Sequence, residues 1–101
     1  MLINLTPHPI VFPDRIIAPT APPARCAEVS APAEEFDGVP LITRAYGEVY
    51  DLPDPAPAVM YIVSAMVRMA RPERHDLASP GDLVRDAAGA IVGCKNLVIN
   101  P

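Results

Sequence analysis

Few side chains in this chain are equipped for chemistry. There are two histidines, His8 and His75, two cysteines, Cys26 and Cys94, and a scatter of hydroxyls and guanidiniums over Thr6–His8 and Ser64–Asp76. Two imidazoles support acid–base catalysis only when they meet across a cleft. A paired-histidine phosphoesterase needs two His-x-Thr/Ser units, and neither His8-Pro9-Ile10 nor His75-Asp76-Leu77 is one. The cysteines have neither metal-ligand nor redox spacing. Cys94 ends the apolar run Ile91-Val92-Gly93, where a buried, inert thiol is the ordinary outcome. No His/Cys/Asp cluster has zinc-ligand spacing, and no glycine-rich phosphate loop is present. The expectation is a binding protein rather than an enzyme, with no cofactor and no metal.

What remains is a set suited to an anionic ligand. Arg74 offers a planar fork that clamps a phosphate bidentately, and Asp76, one residue removed, can orient it. Ser64 stands at a strand-to-helix junction, where free N–H groups accept an anion. Arg71 adds a second cation. Thr6 and His8 add a hydroxyl and an imidazole in the opening segment, and Tyr46, Tyr50 and Tyr61 are the chain's three tyrosines. Each residue also has an ordinary structural reading. Ser64 serves equally as a helix cap, Arg74–Asp76 as a loop-fixing salt bridge, and Thr6 with His8 as the polar edge of a strand.

The elements that must position this set centre on Val59–Gly81. Val59 to Val63 suit a buried strand. Ala65 to Ala70 are good helix formers apart from Val67. Pro72 ends the helix, leaving an ordered loop over Arg71, Glu73, Arg74, His75 and Asp76. Before this stretch, Met1–Pro13 is an N-terminal strand broken by Pro7 and Pro9, and Ile16-Ile17 form the return arm of a small hairpin. Ala18–Pro23 is an extended connector and Ala24–Val29 a strand. Ser30–Gly38 is polar, with Pro32 and Gly38, and is assigned to loop. Val39–Thr43 is strand-like, Ala45–Leu52 alternates, and Pro53–Pro57 is a stiff linker. After the centre, Leu83–Arg85 and Ala90–Val92 flank Asp86-Ala87-Ala88-Gly89. This is a hairpin whose turn uses Gly89 at positive φ. Gly93 marks a bulge, and Leu97–Ile99 is a last strand.

These assignments amount to an α+β fold in a single domain over residues 1–101. Short antiparallel strands surround one short helix, and closure into a small barrel is an option. The expected core is Ile3, Leu5, Ile10, Phe12, Ile62, Val63, Met66, Leu83, Val84, Ile91, Val92 and Leu97. Fourteen prolines in 101 residues exclude long helices. No apolar run approaches the ~20 residues of a membrane-spanning helix, and no basic-then-apolar signal segment is seen. We therefore expect a cytoplasmic protein. A net charge of -4 argues against general nucleic-acid binding. The charge is uneven: Glu28 to Asp54 carries seven acids and one base. Several proline-marked edge strands want covering, so a homo-oligomer is expected.

The opening Asn4-Leu5-Thr6-Pro7-His8-Pro9-Ile10 resembles a family of small proteins encoded by bacteriophages and prophages. The likeness continues at Tyr46-Gly47-Glu48-Val49, Leu52-Pro53, Tyr61-Ile62-Val63-Ser64-Ala65, Arg74-His75-Asp76-Leu77 with Pro80, and Val84-Arg85-Asp86 to Gly89-Ala90-Ile91-Val92-Gly93. The resemblance supplies a context rather than a mechanism. Small accessory phage proteins often counter host immunity. Some sequester the cyclic-nucleotide signals of defence systems, and others bind a defence protein directly, as anti-CRISPR proteins do. The resemblance therefore implies a counter-defence protein in an infected or lysogenic bacterial host. Its partner would be a small anionic nucleotide, held without cleavage, with Ser64, Arg71 and Arg74 on phosphate, Thr6 and His8 joining them from a neighbouring strand or a partner subunit, and Tyr46, Tyr50 or Tyr61 stacked on the base, or else a host defence protein. A small nucleotide-processing enzyme is the third alternative.

Overall fold

The computed structural model describes residues 1–20 and 22–101. Its centre is a four-stranded mixed sheet in the order β1 (Leu2–Asn4), β6 (Met60–Ile62), β7 (Leu77–Pro80), β10 (Leu97–Ile99). β1 and β6 run parallel, as do β6 and β7, while β7 and β10 are antiparallel. The parallel β6–β7 pair requires a crossover, and the expected short helix supplies it as α1 (Ala65–Ala70). Ser64 caps that helix, its Oγ accepting from the Val67 N–H at 3.3 Å, which satisfies one of the donors every helix start leaves free.

The core lies between this sheet and α1. Leu5, Tyr61, Val63, Val67, Leu77 and Ala24 form its buried cluster, with Ile3, Cys26, Val49, Leu52 and Val59 packed against it. Leu5, Ile62 and Val63 are buried as expected. Met66 is not. Val67, the β-branched exception in the helix, faces the core, while Met66 and Met69 lie outside. Leu83, Ile91 and Val92 are also exposed, because their hairpin pairs only with itself.

Three further two-stranded sheets surround the centre: β2 (Ile10–Val11) with β3 (Ile16–Ile17), β4 (Arg25–Phe36) with β5 (Val39–Tyr50), and β8 (Leu83–Arg85) with β9 (Ile91–Cys94). Among the described residues these sheets close no barrel. The chain is strand-rich around one short helix, but its strands are neither uniformly short nor uniformly antiparallel. The segment Ser30–Gly38, expected as loop, is strand through Phe36, and Val39–Thr43 and Ala45–Tyr50 are one continuous strand. The two 12-residue strands β4 and β5 make a long arm. Its turn is Asp37-Gly38, at φ 49° and 78°, the double positive-φ geometry of a two-residue hairpin. The β8–β9 hairpin forms as expected. Gly89 has φ 84°, and Asp86 Oδ1 accepts from the N–H groups of Ala88 and Ala90. The register shift opposite Val84–Arg85 falls at Val92, next to the Gly93 assigned to it. The connector expected over Ala18–Pro23 includes Ala21, which lies outside the described residues. On either side of it the backbone is tied to β1, Thr20 N–H donating to the Asn4 carbonyl and Ala24 N–H to that of Leu5.

Candidate functional site

The sequence-expected ligand set is divided by the fold. Ser64 stands at the start of α1, while Arg71, Arg74 and Asp76 follow its end. Six helical residues put about 9 Å between the two groups. Arg71 Nε is engaged by Glu73. Arg74 is 8% exposed. Its Nε and Nη2 donate to the two Asp76 carboxylate oxygens, each at 2.8 Å, and Nη2 also donates to the Pro53 carbonyl at 2.9 Å. The fork that would clamp a phosphate is filled by Asp76 and stitches the loop after α1 to the linker before β6. Donation from Arg74 holds the Asp76 carboxyl below its ordinary range, against the opposing effect of burial. Arg68 is likewise committed, with Nε on Ser79 Oγ at 2.9 Å and Nη1 on Asn100 Oδ1 at 3.1 Å.

Tyr61 is a core residue. Its ring is 5% exposed and its hydroxyl donates to the Asp54 carbonyl at 3.2 Å, so no base can stack on it. Thr6 is half-buried, its Oγ1 lying 2.6 Å from Asn4 Oδ1 and 2.9 Å from the His8 carbonyl oxygen. The His8 and His75 side chains both face solvent.

Two buried asparagines that sequence reasoning left unassigned do the organising. Asn4 Nδ2 donates to the carbonyls of His8 and Ile17. It thereby shapes the Thr6–His8 loop. Asn100 Nδ2 lies within hydrogen-bond reach of the carbonyls of Arg68, Arg71 and Arg74, at 3.0–3.1 Å, and so gathers the end of α1 and the loop beyond it. Every buried side-chain polar atom among the described residues has a partner. Asn-Leu-Thr-Pro carries a local signal for the first role, since asparagine hydrogen-bonds nearby backbone. The second depends on a contact 26 to 32 residues away and has no local signature.

What the fold does bring together is a hollow of about 290 Å³ between the base of the arm and the start of α1. It is lined by Pro7, Pro23, Ala24, Arg25, Cys26, Glu28, Tyr46, Ser64 and Met66. Strand pairing sets its floor: Glu28 lies opposite Tyr46, and Cys26 opposite Val49. Arg25 is exposed and its guanidinium has no ion-pair or hydrogen-bond partner among the described residues. Glu28 is occupied by Arg44 at 2.7 Å. Tyr46 presents an exposed ring. The hollow thus combines an uncommitted guanidinium, an aromatic face and a hydroxyl. Of the expected set only Ser64 lines it; Arg25 is its unexpected member, Pro7 is all it takes from the opening loop, and Thr6, His8, Arg71, Arg74, Asp76 and Tyr61 are absent from it.

A larger hollow, about 380 Å³, is lined by Pro9, Ile10, Val11, Pro80, Leu83, Ile91, Val92, Gly93 and Cys94. It offers no side chain able to fix an anion. Burial pushes the Cys94 thiol up, which makes it a weak nucleophile. Among the described residues no three His, Cys, Asp or Glu side chains are grouped to hold a metal ion, and no helix is long and apolar enough to cross a membrane. No protein family, curated protein or solved structure matches the chain.

Proposed function

We propose that this chain is a binding protein that sequesters a small, phosphate-bearing nucleotide without cleaving it, in the setting of phage counter-defence. The observation that supports it is the hollow at the base of the arm, lined by Arg25, which is in no ion pair among the described residues, the exposed ring of Tyr46 and the hydroxyl of Ser64. An uncommitted guanidinium suits phosphate oxygens, and an exposed ring suits a base face. The volume is at the lower end of small-molecule sites, which fits one nucleotide unit. The hollow contains no histidine and only one carboxylate, already paired, so it holds a ligand better than it activates a nucleophile.

The test is native mass spectrometry of the purified chain mixed with a panel of cyclic mono- and dinucleotides. Retention of one nucleotide at unchanged mass supports the reading. Recovery of a cleaved nucleotide assigns an enzyme instead, and no retained nucleotide removes the proposal. The second reading, direct inhibition of a host defence protein, is favoured by a separate observation, the exposed apolar side chains of the arm. Retention of a single host protein from bacterial lysate in the same experiment would support it.

A further inference from the structure

The arm has two unlike faces. Directly opposed residues of an antiparallel pair point to the same side, and successive residues alternate. The pairs Phe36–Val39, Ala31–Thr43 and Val29–Ala45, with Leu41 between them in alternation, therefore share one face. The pairs Glu35–Pro40, Pro32–Ile42, Ser30–Arg44 and Glu28–Tyr46 share the other. The second face carries the Arg44–Glu28 ion pair and, at its base, turns toward α1 through the hollow. The pairs named for the first face bear no charge and only one polar side chain, Thr43; Ala33 and Glu34 fall in the register shift opposite Leu41, and Arg25 follows on the same side at the base. This first face lies uncovered, with Val29 66%, Phe36 69% and Leu41 44% exposed.

An isolated two-stranded hairpin is marginal in water, and a sheet face this apolar is stable only against another layer. The body of the same chain cannot provide that layer, because α1 packs toward the opposite face. The missing layer has a measurable size. The chain exposes 6839 Å², about 1,300 Å² more than the roughly 5,500 Å² of a compact protein of its mass. A standard interface removes about 800 Å² from each partner. The excess is therefore enough for one stable interface per chain. Its Cα radius of gyration of 16.1 Å exceeds the about 13 Å of a compact chain this long, as an outstretched arm requires.

We infer that the Val29–Ala31–Phe36–Val39–Leu41 face of the arm packs against the same face of a second copy of this chain, related by a two-fold axis. Self-pairing suits this face in particular. A two-fold contact sets each patch against itself, so any charge at its centre would meet its like, and Val29, Ala31, Phe36, Val39 and Leu41 carry none. The acids Glu28 and Glu35 stay on the outer side of the resulting two-layer pair of hairpins, in water. The hollow lies at the base of the arm, beside Ser64 and Met66.

Light scattering after size exclusion at micromolar concentration reads the result. Wild type is expected at twice the chain mass, or a higher even multiple. Leu41→Glu and Val29→Glu, each placing a charge on the apolar face, should halve it. Ser30→Glu, on the opposite face of the same strand, should leave it unchanged. Circular dichroism on the same samples shows that the variants remain folded. Should a variant unfold, the wild-type mass still decides, together with Thr43→Lys as a second charge on the same face. A monomeric or odd-numbered wild type overturns the inference, as does an assembly that survives the face charges or breaks on Ser30→Glu. A monomer that instead retains one host protein assigns the face to that partner and equally overturns it.

Discussion

The behaviour of single residues turns on whether each guanidinium is committed or open. Arg74 and Asp76 are mostly buried and satisfy one another, so replacing Asp76 strands a charge. Asp76→Asn is expected to cost about 3 kcal/mol in a denaturant titration while leaving ligand affinity unchanged. The pair also sets an acid limb. Asp76 is held below its ordinary pKa in the folded chain, whereas unfolded it titrates at about 3.9. In that window the unfolded state binds more protons, so stability rises with pH. Its contribution is complete above about pH 4 and is lost as pH falls toward the depressed folded value. Thermal melts from pH 6 to 2 should show this loss in wild type and a weaker one in Asp76→Asn. Both roles of this pair are legible in Arg-His-Asp, because alternate residues of an extended loop share a side. Which role holds is decided by the Pro53 carbonyl, 21 residues away. Arg25 escapes a sequence reading for the converse reason, since nothing local announces that a strand arginine will lack a partner.

Two glycines separate strain from crowding among the elements. Gly38, at φ 78°, has open space where a side chain would begin, with nothing within 4 Å of an added Cβ. Gly38→Ala should therefore cost only the left-handed backbone penalty, roughly 1–2 kcal/mol. At Gly93 a Cβ would stand 2.6 Å from the Val11 carbonyl oxygen. Gly93→Ala must displace β2 from β9, at roughly 1–3 kcal/mol, and chemical denaturation reads both costs. The β8–β9 hairpin is legible because the apolar runs Leu83-Val84 and Ala90–Val92 flank a turn that holds Gly89, and α1 because Ser64 and Pro72 bound it. The arm is hidden by Pro32, Glu34 and Glu35, which argue for loop. Its one clear sign is Asp37-Gly38, the strongest short hairpin dipeptide, between Phe36 and Val39. The strand Leu77–Pro80 has too little apolar length to declare itself. Its parallel pairing with β6 depends on a crossover that no local pattern encodes.

In the whole molecule, a small core holds the sheet and α1, and an arm extends beyond it. The hollow sits where the two meet. Its floor is the base of the arm and its rim the Pro7 loop that Asn4 shapes, so ligand binding should order the segments that build it. The most direct measurement is a calorimetric titration of wild type, Arg25→Ala and Arg74→Ala with the nucleotide retained in native mass spectrometry. Loss of one charge-assisted contact, about 1.5–3 kcal/mol, corresponds to roughly ten- to a hundredfold in affinity. The account predicts that weakening for Arg25→Ala, and for Arg74→Ala a lower melting temperature with affinity kept. Equal affinity in wild type and Arg25→Ala, with the fold intact, would contradict it.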